Sequence, residues 1–176
     1  MKAATVNDIK QELKNASPAQ LIELCLRLAR FKKENKELLT YLLFEAHDEE
    51  GYVQNVKAEI DAGFAELPRA NAHLTKKSLR KILRLVNKYI RYTQSVQVQV
   101  ELLMHYCKNL KASNLLKSTG IAMQNLYVQQ LKKIKDTLLS LHEDLQHDYE
   151  KQLAALALDE PTVTRRGFLF SIKGNK

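Results

Sequence analysis

Apolar residues return every three or four positions through most of the chain, which is the period of a helix with one buried face rather than of a strand. The first clear start is Ser17-Pro18-Ala19-Gln20: a hydroxyl at the N-cap, a proline at the first helical position and a glutamine at the third together spell a capping box. Leu21, Leu24, Cys25, Leu28 and Phe31 then predict one buried face, and a short helix over Asn7 to Lys14 precedes them. Leu38, Leu39, Leu42 and Leu43 carry a further helix over Glu34 to Ala46, and Asp48, Glu49 and Glu50 form an acidic start for another that runs to about Glu66.

Pro68 and the small polar stretch Arg69 to Leu74 interrupt the period, with Thr75 placed to cap the next helix. Two helices are predicted there, over Lys76 to Arg91 and Gln94 to Lys111, parted by a tight turn near Tyr92 and Thr93. Beyond Gly120 the positions Tyr127, Leu131, Ile134, Leu138, Leu141 and Leu145 alternate steps of four and three, and Tyr149, Leu153 and Leu156 continue after a four-residue slip. That spacing predicts one helix from Gly120 to Leu158, about 57 Å long at 1.5 Å per residue. Its seam needs a cover, either from other helices of the chain or from a second copy in a homo-oligomer.

Asp159-Glu160-Pro161 ends the pattern. In the tail, Phe168, Phe170 and Ile172 alternate; they are expected to lie extended in a groove of the chain's own helices or to dock on another subunit or protein. The expected architecture is all-α: a single helical domain over residues 1–158 and a C-terminal tail over 159–176. Within the domain a compact helical bundle competes with a short irregular HEAT-like stack ending in the long helix. The segment Ile9-Lys10-Gln11-Glu12-Leu13-Lys14, with Ser17, Leu21-Ile22-Glu23-Leu24 and the helical hairpin after them, resembles a family of small all-helical bacterial proteins of unknown function. The resemblance covers Asn7 to Lys111 and implies helices without implying an activity.

Composition supports the helical reading, because 5 Gly and 3 Pro in 176 residues are too few for a many-stranded sandwich. Met1 to Lys14 has no apolar core of a signal peptide and carries Asp8 and Glu12. The longest uncharged stretch, Ser118 to Leu131, has 14 residues, short of the ~20 that cross a bilayer. A cytoplasmic protein without a membrane span is therefore expected, with Cys25 and Cys107 as buried reduced thiols.

Charge changes the picture more. Lys and Arg against Asp and Glu count 9 to 12 over residues 1–66, but 11 to 1 over residues 67–117. The formal net charge of +8 is thus the property of one segment, centred on Lys76 to Arg84. At about 100° per residue, Lys77, Arg80, Lys81, Arg84, Lys88 and Arg91 fall in an arc of roughly 100°, opposite Leu79, Ile82, Leu83, Leu85, Val86, Tyr89 and Ile90. These six cations are the candidate partner-binding face. They suit a nucleic acid or other polyanion, with Asn87 and Tyr92 alongside, or a protein partner. A solvated outer face, neutralised in part by Glu45, Asp48, Glu49 and Glu50, needs no ligand at all. Adsorption to an anionic membrane ranks last, because the apolar face is needed for the core.

Catalytic chemistry is poorly signalled. His142 to Glu150 gathers His142, Glu143, Asp144, His147, Asp148 and Glu150, but Leu145 as the inward position turns Glu143, His147 and Glu150 away from the seam. No Glu-x-x-His occurs, so neither a bound metal nor another cofactor is expected. Glu101 and His105 read as a satisfied, partly buried pair. Phosphate loops, nucleophile elbows, dinucleotide fingerprints and His-Glu-x-x-His are absent, which points to a non-enzymatic binding or adaptor module, or to a structural scaffold.

Overall fold

The computed structural model describes residues 2–157; Leu158 and the tail with Phe168, Phe170 and Ile172 lie outside them. Among the described residues the regular structure is entirely helical, as the three-four period requires. The chain divides into two compact units, at Glu49 and Glu50.

In the first unit, α1 (Val6–Asn15) is capped by Thr5, whose hydroxyl accepts from the Asp8 N–H while the Asp8 carboxylate accepts from the Thr5 N–H. α2 (Pro18–Phe31) starts at the capping box expected, Ser17 with Gln20. It ends at Lys32, where an extended residue turns the chain into α3 (Lys33–Thr40). The Asn35 amide fastens that corner by donating to the Leu28 carbonyl at 2.9 Å, and α3 packs along α2. The helix predicted over Glu34 to Ala46 closes instead in a π-helical turn, Tyr41–Glu45, marked by the Ala46 N–H bonding back to the Tyr41 carbonyl at 2.9 Å.

The buried face expected on α2 is not buried. Leu24, Leu28 and Phe31 are 44, 60 and 77% exposed, and Cys25 is an exposed thiol, not a core one. Leu42 and Leu43 are exposed as well, and Tyr41 is the one buried residue among residues 2–49. Periodicity specified the helix correctly and the environment wrongly, since it reports an apolar face and not what covers it.

The second unit is built around one helix. α6 (Val96–Ala112) buries Val98, Val100, Leu102, Leu103, Met104, Tyr106, Cys107 and Leu110, which together lie on all sides of its axis, so it must be surrounded. Its neighbours are α4 (Glu49–Ala65), α5 (Ala72–Thr93), the short α7 (Leu115–Ser118), α8 (Ile121–Leu138) and α9 (Glu143–Ala157). α4 contributes Tyr52, Val53, Val56, Ile60 and Phe64 to the core, and Gly63 lets α4 approach α5: a Cβ there would stand 3.1 Å from Ile82. α5 begins earlier than expected. Asn71, not Thr75, is its cap, accepting from the His73 and Leu74 N–H groups, while Thr75 is buried and donates to the Pro68 carbonyl at 2.7 Å. Gln94 in the left-handed conformation and Ser95 as N-cap make the turn into α6.

The single helix predicted over Gly120 to Leu158 is two helices. α8 stops at Leu138, Leu139 to His142 turn the chain, and α9 folds back on α8 so that the Tyr127 hydroxyl donates to the Leu156 carbonyl at 3.1 Å. The break carries its own capping chemistry. The Ser140 and Leu141 N–H groups bond three residues back, and Glu143 and Asp144 bring negative charge to the N-terminus of α9. Folding back lets α8 bury Tyr127, Leu131, Ile134 and Leu138 within its own unit, and no continuous 57 Å seam remains among the described residues for a second copy to cover.

Candidate functional site

α5 displays the charge. Leu79, Ile82, Leu83, Val86 and Ile90 are buried on its inner side, Leu85 and Tyr89 are half-buried, and Lys77, Arg80, Lys81, Arg84 and Arg91 are exposed on the outer side. Lys88 is half-buried, with its Nζ 4.6 Å from the centre of the Tyr89 ring. Among the described residues, Lys77, Arg80, Lys81, Arg84 and Arg91 have no carboxylate partner. The reason lies in the segment's composition: Glu101, its single acidic residue, points elsewhere. Its Oε2 is 3.0 Å from Lys57 Nζ, and its Oε1 accepts from the Tyr149 hydroxyl at 3.0 Å and from Gln97.

The stripe borders a groove of about 570 Å³ between α5 and α8. His73, Lys76, Lys77, Arg80, Arg84 and Asn87 line it from α5, with Leu83 and Leu126 as its apolar floor. α8 adds a further cation, since Lys133 Nζ donates to Asn87 Oδ1 at 3.0 Å. Three of the six sequence-identified cations, Lys77, Arg80 and Arg84, thus meet in one concavity, whereas Lys81, Lys88 and Arg91 are not among its lining residues. His73 and Lys133 were missed. His73 lies one helical turn before Lys77 and becomes visible as part of the stripe once Asn71 is seen to start the helix; Lys133 carries no local signal. Tyr92 is buried and packs edge-on to Tyr89, which removes it as a stacking surface at the stripe's edge.

The other polar candidates resolve into separate groups. Glu101 and His105 do not pair with each other. His105 Nε2 is 2.6 Å from Asp61 Oδ1, which also accepts from Asn109 at 2.6 Å. Burial pushes the Glu101 carboxyl up, but the hydrogen bonds from Lys57 and Tyr149 and the Lys57 charge outweigh it, so the group lies below its ordinary value. Burial and the bond to Glu101 push the Tyr149 hydroxyl up to about 12, which keeps it a donor. Every buried side-chain nitrogen and oxygen among the described residues has a partner. In α9, His142 Nδ1 lies 3.4 Å from Asp144 on an exposed surface, and Glu143, His147 and Glu150 are also exposed. No group of three His, Cys, Asp or Glu among the described residues is arranged to hold a metal ion. Nor is any described helix long and apolar enough to cross a membrane.

Comparison with protein-family models, with curated proteins and with solved structures finds no match to this chain.

Proposed function

We propose that this protein is a non-enzymatic binding module that docks a polyanion on the outer face of α5 and in the α5–α8 groove. The observation that carries the reading is the row of exposed cations without carboxylate partners on a helix whose other face is fixed in the core. Like charges held this close repel one another, and phosphates relieve that cost. Tyr92 is buried and the groove floor is leucine, so recognition runs through charge, with no aromatic platform for bases. The buried apolar face of α5 leaves it nothing with which to enter a bilayer.

Fluorescence anisotropy with labelled single- and double-stranded oligonucleotides tests this directly. With about four phosphates neutralised, raising salt from 50 to 200 mM is expected to weaken binding roughly 50- to 150-fold. Arg80→Glu with Arg84→Glu is expected to abolish binding at 50 mM while leaving the circular dichroism spectrum unchanged, because both side chains are exposed. If no oligonucleotide binds at 50 mM salt, nucleic acid is not the ligand and the same face is left to an acidic protein surface. If the charge reversal also leaves partner recovery from the native cell unchanged, the binding-face reading fails and a structural scaffold takes its place.

A further inference from the structure

The first unit has an apolar seam and almost no core. Leu21, Leu24, Leu28 and Phe31 on α2 follow a three-four-three spacing, the a and d positions of two heptads. Leu21 is half-buried beside α3, whereas Leu24, Leu28 and Phe31 are 44, 60 and 77% exposed. A unit of this size with only Tyr41 buried falls in the range where oligomerisation usually supplies the missing core.

Charge specifies the occupant. Residues 1–49 carry 8 Lys and Arg against 8 Asp and Glu, so two copies of the unit meet without net repulsion, while the whole +8 of the chain resides beyond them. On α2 the charges flank the seam along one edge in the order Glu23, Arg27, Arg30. A parallel pairing would set like against like at every position. An antiparallel pairing that faces Leu24 with Leu28 of a second copy places each Glu23 between the heights of Arg27 and Arg30 of the other chain, within about 3 Å along the axis at 1.5 Å per residue.

We propose that α2 is an isologous interface, pairing antiparallel with α2 of a second copy of this chain through Leu24, Leu28 and Phe31. The proposal is independent of the α5 face.

Light scattering on the size-excluded full chain is expected to give twice 20.2 kDa at micromolar concentration. Leu28→Glu is expected to raise the dissociation constant by about tenfold or more, since it sets a charge in an apolar seam, with helicity unchanged because the side chain is exposed in the single chain. Glu23→Arg alone, and Arg27→Glu with Arg30→Glu, are each expected to weaken the dimer, and all three together to restore it. A mass of 20.2 kDa maintained up to about 200 µM overturns the proposal, as does a dimer indifferent to Leu28→Glu. Failure of the combined charge exchange to restore association overturns the antiparallel register.

Discussion

Glu101 is the residue whose surroundings say most about the second unit. It is only partly exposed, it joins Lys57 of α4 to Tyr149 of α9, and it is the sole acid in a strongly basic stretch. Because its carboxyl lies lower in the folded chain than the roughly 4.3 of an unfolded glutamate, the folded state binds protons less readily. The stability it contributes is therefore complete above that unfolded value and is lost as pH falls through the lower, folded one. Urea denaturation from pH 7 to pH 3 is expected to show a shallower acid limb for Glu101→Gln than for the parent, with the two proteins differing most near neutrality. Equal slopes would place the acid sensitivity elsewhere. Residue-level legibility was uneven for physical reasons. Ser17, Pro18 and Gln20 form a complete local motif, so that helix start could be read directly. Asn71 and Thr75 are both plausible caps by type, and the choice fell to a carbonyl, that of Pro68, which takes the Thr75 hydroxyl into the interior.

At the scale of elements, the helices were legible and their ends and covers less so. α8 and α9 share one heptad-like phase, and the break between them contains no glycine or proline, only Ser140 and the acidic pair Glu143 and Asp144. What decides the break is a tertiary contact, the return of Leu156 to Tyr127. Tyr127→Phe leaves the Leu156 carbonyl short of its buried donor while keeping the ring, and is expected to cost about 1–3 kcal/mol, lowering the melting temperature by several degrees. Calorimetry checks this, and an unchanged transition would mean that α9 is anchored by other contacts, such as the Lys111 bond to the Ala155 carbonyl. α2 shows the converse. Its period was read correctly, but a leucine stripe facing a core and a leucine stripe facing solvent have the same sequence.

Over the whole molecule, charge is divided as sharply as structure: a neutral first unit of residues 1–49 and a strongly basic segment within the second. Half of the candidate site followed from helical geometry, because Lys77, Arg80 and Arg84 share a face by spacing alone. The groove beside them did not, since Leu126 and Lys133 reach it only through the packing of α8. The two thiols offer a separate consequence. Cys107 is fully enclosed in α6, and burial pushes it up to about 12, whereas Cys25 is exposed. At pH 8 a thiol reagent can reach Cys107 only when the central helix comes loose, so its modification acts as a clock for the opening of the entire second unit. In a Cys25→Ser background the labelling rate is expected to accelerate with urea along the global unfolding transition; a fast, urea-independent rate would reveal a local route into the bundle that bypasses that transition.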